Sequence, residues 1–219
     1  KILVIAPHPD DETLGCGGTL LKHKEEKDQV HWLIITKLDT RVSKEKYKIR
    51  SKEIKKVGNY YNFNSVIEGD FVTALIDTYP QIDIIEFISN SIDKIKPDII
   101  YIPFSHDVHS DHRIINESIV SACKTFRKPY IKSIRAYETL SETEFDINTS
   151  SIFFKPNLFI NIDKYLETKI KIMKIYKSEF SAHPFPRSEK SIKSLAYLRG
   201  STANLNAAEA FIILKDIIE

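Results

Sequence analysis

Short, nearly uninterrupted apolar runs, each followed by a turn and a stretch of helical spacing, constrain this chain more than any other feature. Residues 2–6, 30–36 and 98–104 are such runs. A strand with one wet face alternates apolar and polar residues, whereas a continuous apolar run fits a strand buried on both faces. Residues 13–24, 43–61, 82–95 and 111–126 carry helical spacing. The second of these ends near Gly58, and Lys96-Pro97 closes the third. With residues 65–71 as a further strand, the first half reads strand, helix, strand, helix. That order predicts an α/β fold: a mostly parallel sheet flanked by helices on both sides.

The second half is less regular. Residues 131–138 and 151–162 read as strands, with a hairpin at one edge as the expected arrangement. Residues 163–177 read as a helix with Asp163 as N-cap, 184–186 as a loop, and 188–198 and 204–218 as closing helices. No repeat, low-complexity segment or linker interrupts the chain. Residues 1–219 are therefore expected to form a single domain, long enough for a full hydrophobic core.

Composition narrows the function classes. Hydrophobic residues make up 42% and charged residues 28%, as in ordinary soluble proteins. The net charge of +2 gives no electrostatic footprint for nucleic acid. Lysine-rich runs at 22–28 and 44–56 read as solvated helix faces. No apolar stretch approaches the roughly 18 residues of a membrane span. No signal peptide is visible, and Lys1 in place of Met leaves a trimmed leader open. Cys16 and Cys123 lack disulfide or Cys-x-x-Cys spacing and are expected to be reduced and buried, in a cytoplasmic protein. A homo-oligomer is left open.

The chemistry concentrates just past two of the buried strands. His8-Pro9-Asp10-Asp11-Glu12 follows the first, and His109-Ser110-Asp111-His112 follows the fourth. In open parallel sheets, ligands bind beyond the carboxyl ends of the strands, so the two turns can meet if these strands are neighbours. Imidazole and carboxylate are good zinc ligands, and a catalytic zinc keeps three protein ligands and a position for water. His8 and Asp11 can supply two, and one histidine of the second turn the third. Asp10 is then left to take a proton from the bound water, and the other histidine to protonate a leaving amine or hold an oxyanion. Each turn alone could be a capped helix start. Two histidine-carboxylate turns past two buried strands make coincidence a poor account. His183, in a loop with Pro and Phe, is a candidate substrate contact, and Tyr137, Phe180 and Phe185 are candidate pocket walls. Gly15-Cys16-Gly17-Gly18 does not make a dinucleotide turn: Leu20 stands where the third glycine would be, and the glycines lie inside a helix. Close helix–sheet packing explains them better.

Residues 6–19, Ala-Pro-His-Pro-Asp-Asp-Glu-Thr-Leu-Gly-Cys-Gly-Gly-Thr, resemble the signature of the LmbE/PIG-L zinc-dependent N-deacetylases. Residues 107–113, Asp-Val-His-Ser-Asp-His-Arg, resemble that family's second motif. At lower specificity, Arg50-Ser-Lys-Glu53, Tyr176–Phe180, Arg199-Gly200 and Ala208–Phe211 resemble later segments. Glu179 stands where many members have Gln. The resemblance implies a Rossmann-like fold and one Zn²⁺ per chain, another divalent ion being an alternative. It implies His8, Asp11 and His112 as metal ligands and Asp10 as general base. His109 would hold the oxyanion or act as general acid, Asp111 would orient a histidine, and Arg50 would contact the substrate. The implied activity is removal of an N-acetyl group, with release of acetate, from an N-acetylglucosamine-type amino sugar or glycoconjugate. The readings weighed against it are a metal- or sugar-binding protein without turnover and a nucleotide-binding module.

Overall fold

The computed structural model describes residues 1–41, 43–147 and 152–218. Its elements are β1 (Ile2–Ala6), α1 (Asp11–Glu25), β2 (Val30–Lys37), α2 (Lys44–Tyr61), β3 (Ser65–Val72), α3 (Gln81–Ile95), β4 (Ile99–Pro103), α4 (Ser110–Ala122), β5 (Ser133–Tyr137), β6 (Leu158–Asn161), α5 (Leu166–Met173), α6 (Glu189–Thr202) and β7 (Ala208–Asp216). They build one seven-stranded sheet in the order β3-β2-β1-β4-β5-β7-β6. The pairings among β1 to β5 are parallel, and β7 runs antiparallel to both β5 and β6.

The apolar runs are strands with two buried faces, as expected. Along β1, Ile2, Val4 and Ala6 face one core with Trp32, Ile34 and Leu14. Leu3 and Ile5 face the other with Leu33, Ile35, Ile100 and Ile102. Helix α1 packs on the first face, where Gly15 explains the close approach. A Cβ there would come within 2.2 Å of the Tyr137 ring on β5. Helix α2 starts at Ser43, whose side chain accepts from the Lys46 N–H. It runs through Gly58 to Tyr61 and ends on Asn62 in the left-handed region.

The second half departs from expectation in three places. Residues 204–218 are not a helix: β7 occupies 208–216 and inserts between β5 and β6, so no β5–β6 hairpin forms. The strand expected at 151–162 is confined to Leu158–Asn161, and Ser151 lies outside the described residues. Asp163 opens a short 3₁₀ turn and is not the cap of α5.

The charge on Glu209 hid β7 within the sequence. Its carboxylate is buried, accepting from the backbone N–H groups of Gly18 (2.8 Å) and Thr19 (2.7 Å) in α1. Lys169 Nζ lies 2.7 Å from the same carboxylate and donates to the Leu14 carbonyl at 2.8 Å, the group an undisturbed helix would offer to Gly18. The pair thus fastens β7 and α5 to the helix that follows the first motif. Removing one partner of a buried ion pair leaves an uncompensated charge. Glu209→Gln should therefore lower unfolding stability by about 3–5 kcal/mol, read as a lower denaturant midpoint at unchanged slope.

Candidate metal centre

β1 and β4 are adjacent, so the turns after them meet at the carboxyl edge of the sheet. The β1 turn is held from the side by β2, where the Thr36 backbone N–H (3.0 Å) and hydroxyl (2.9 Å) both donate to the Pro7 carbonyl. Asp10, not Asp11, occupies the N-cap position of α1, and its side chain makes no capping bond. Neither carboxylate is spent on capping the helix. At the second turn a cap is present: His109 Nδ1 accepts from the Asp111 N–H at 3.1 Å.

Three donor atoms converge. His8 Nδ1 and His112 Nε2 each lie 3.3 Å from Asp11 Oδ2 and 3.3 Å from one another. Tetrahedral zinc with bonds of about 2.0–2.2 Å requires donor separations of about 3.3–3.6 Å. The cluster therefore has the spacing and the donor chemistry of a three-ligand zinc site. Its outer contacts fit as well. His8 Nε2 lies 3.0 Å from Asp111 Oδ2, and His112 Nδ1 lies 2.8 Å from Asp107 Oδ2, so each imidazole has a carboxylate behind it to fix its orientation. A second grouping, His8 with His109 and Asp111, is also close enough to share an ion. It is the weaker candidate, because Asp111 Oδ2 is already engaged by the Ala74 N–H at 2.8 Å.

The local field favours positive charge at this spot. Burial alone would lower the proton affinity of His8, yet hydrogen bonds to Asp11 and Asp111 push its pKa up to about 9. Burial likewise opposes protonation of His112, and Asp11 with Asp107 overrides it. Asp11 is held well below the usual carboxylate range by both histidines, against its burial. A cation seated among the three donors would satisfy the same field and displace those protons.

Asp10 stands beside this centre and outside the donor set. Burial first, then the Asp11 carboxylate, raises its proton affinity; Arg187, with Nη1 2.9 Å from Asp10 Oδ2, opposes the rise. Its backbone has φ 133°, a conformation rare outside glycine. The buried Glu12 holds it there by accepting from the Asp10 N–H at 3.0 Å, and Thr13 and Tyr176 hydroxyls donate to the other Glu12 oxygen. Such strain persists only where the surroundings over-determine it. His109 is half-buried, its ring centroid 4.5 Å from His8. Burial, then the charges of His8 and His112, push its pKa down to about 4. With Nδ1 accepting from Asp111, its proton sits on Nε2, the tautomer able to donate to a developing oxyanion.

The remaining expectations are only partly met. Arg50 lines the cavity, but its donors are engaged by the Pro9 carbonyl (2.8 Å), Ser178 Oγ (2.9 Å) and the Glu179 carboxylate, with Glu53 3.3 Å from Nε. His183 is not brought to the centre: it is exposed and lines separate open clefts beside α6. Phe180 sits in one of those clefts. Tyr137 is fully buried, its hydroxyl bonded to the Ile5 carbonyl, so it belongs to the core; neither it nor Phe185 lines the cavity over His8. Arg187 and Glu142 do line that cavity. No sequence signal marked Arg187, whose partner Asp10 lies 177 positions away.

Comparison with known proteins gives the family and the fold. The family model described as PIG-L, GlcNAc-PI de-N-acetylase, matches residues 3–123. The chain is 24% identical to the diacetylchitobiose deacetylase of Thermococcus kodakarensis over 95% of its own length and 81% of that protein's. Among solved structures, N,N′-diacetylchitobiose deacetylase from Pyrococcus horikoshii superposes with a TM-score of 0.79 at 20% identity, covering 98% of this chain and 83% of that one. The 4-carboxy-2-hydroxymuconate hydratase of Pseudomonas putida superposes with a TM-score of 0.74 at 15% identity, covering 100% and 98%. These two likenesses bear on the fold, which evidently carries more than one reaction.

Proposed function

The chain belongs to the PIG-L family, and from that premise we propose that it is a zinc-dependent N-deacetylase acting on an N-acetylglucosamine-type amino sugar or glycoconjugate. One observation carries the reading: three donors spaced 3.3 Å apart, with a carboxylate, Asp10, left over beside them. A protein that only stores metal has no use for that fourth group.

His8, Asp11 and His112 would hold the ion. When bound, zinc would polarise the amide carbonyl and bring the pKa of its water to about 7. Asp10 accepts the proton of the attacking water as the oxygen adds to the acetyl carbon. His109 donates from Nε2 to the carbonyl oxygen as charge develops there. The C–N bond then breaks, the amine leaves with the proton Asp10 had taken, and acetate is the second product. Asp111 and Asp107 keep the two ligand imidazoles in register. Among the described residues no helix is long and apolar enough to cross a membrane. The free, buried Cys16 and Cys123 support the cytoplasm as the proposed location, and we take residues 1–219 as one catalytic domain.

The test is acetate release from N-acetylglucosamine and N,N′-diacetylchitobiose by the whole chain. Activity should vanish on chelation and return with zinc; full activity in verified metal-free protein would sink the metal role. Sugar binding without acetate would instead favour a binding protein, and water addition to an unsaturated acid the hydratase chemistry.

A further inference from the structure

The cavity over the metal centre is more neutral than its arginines suggest. Its described lining carries three cations, Lys37, Arg50 and Arg187, against five carboxylates, those of Asp10, Asp11, Glu68, Glu142 and Glu179. A dication held by His8, Asp11 and His112 brings the two sides level and leaves no surplus positive charge.

Both guanidinium groups are already paired with carboxylates. Arg50 uses Nη1 on the Pro9 carbonyl and Nη2 on Ser178 and Glu179, and its Nε faces Glu53. Arg187 uses Nη1 on Asp10 (2.9 Å) and Glu179 (2.8 Å) and Nε on Ser141 Oγ (2.8 Å), and its Nη2 lies 3.7 Å from Glu142. Glu179 thus joins the two arginines. Both line the cavity, and the Arg50 guanidinium lies over the buried Tyr176 ring, 5.3 Å from its centroid. Lys37 sits at the outer rim, 2.7 Å from the exposed Asp70. A phosphate or carboxylate on the acceptor would have to displace these pairs and meet Glu142 and Glu179 uncompensated. Like charges brought together in a recognition site oppose binding. Sugar hydroxyls, by contrast, can donate to those same carboxylates.

We propose that this cavity selects uncharged amino-sugar acceptors and rejects anionic ones, with Glu179 as the specificity-determining residue. The inference rests on the proposed deacetylase reading for the site but concerns binding, so the two can fail separately. Glu179→Gln keeps the size and one acceptor oxygen while releasing charge on both arginines.

The matched probes are N-acetylglucosamine and N-acetylglucosamine 6-phosphate, which share a ring and differ by one anion. Calorimetric affinity and acetate release are measured for each on the zinc-loaded whole chain. The neutral sugar should be preferred by on the order of tenfold or more, and Glu179→Gln should narrow that ratio by a similar factor. Glu142→Gln, at the other end of Arg187, should narrow it in the same direction and serves if the first variant folds poorly. Equal or better use of the phosphate by the unaltered chain overturns the inference, as does a ratio that neither variant moves. The neutral preference in binding with no acetate from either sugar leaves the inference standing and removes the deacetylase reading. Fastest acetate release from the phosphate does the reverse. No binding of either sugar counts against both.

Discussion

Asp10→Asn should leave bound zinc unchanged and cut kcat by about 10²–10⁴, the usual contribution of a positioned general base. Asparagine matches the shape of aspartate, which already holds φ 133° here, so the exchange asks for no new backbone conformation. Glu12 still receives the residue-10 N–H, because that bond uses only the backbone. The three proposed metal donors are untouched, since Asp10 is not among them. Arg187 loses one carboxylate partner but retains Glu179. What disappears is the group that takes a proton. Metal content and acetate release, measured on one preparation, separate the two roles. Normal turnover in that variant would show that another group is the base.

Most of the first half of the fold was legible because β1, β2 and β4 are buried on both faces. Burial of that kind leaves no choice but apolar residues, and the runs at β1, β2 and β4 announce themselves. The convergence of His8, Asp11 and His112 was legible for a related reason. Two turns each carry ligand-type side chains over a few residues, and β1 and β4 are neighbours. The alternative that Asp11 merely caps a helix was physically sound for the isolated turn. It fails because Asp10 takes the cap position and makes no capping bond.

Long-range pairing explains what was not legible. Residues 204–218 contain good helix formers, and Glu209 breaks what would otherwise read as an apolar strand. Its burial depends on Lys169 and on two α1 amides, none of them near it in sequence. Strand preference is decided by such neighbours more than by the residues themselves. The cavity wall follows the same rule. Arg187 and Glu142 come from irregular segments and acquire meaning only against Asp10 and Glu179. His183 had a suggestive setting among prolines and aromatics, yet the loop carries it outward, four residues before the arginine that does reach the site.

Asp11→Ala should remove the metal itself, and with it all zinc-dependent turnover. Asp11 Oδ2 is the vertex shared by both histidines at 3.3 Å, and it also accepts the His8 N–H at 2.8 Å. Its loss leaves two imidazoles, fewer ligands than a catalytic zinc normally keeps, and frees the backbone segment that aims His8. A ligand that binds only the folded state stabilises it, by about 2.7 kcal/mol at a hundred times its Kd. Zinc should therefore raise the melting temperature of the unaltered chain and leave that of Asp11→Ala unmoved. This readout does not depend on knowing the substrate. His109→Ala is the informative contrast. His109 already spends Nδ1 on the Asp111 amide, so this variant should keep the zinc-induced shift while losing acetate release. One zinc per chain at undiminished affinity in Asp11→Ala, or loss of zinc in His109→Ala, would exchange their roles and move the centre to the His8–His109–Asp111 grouping.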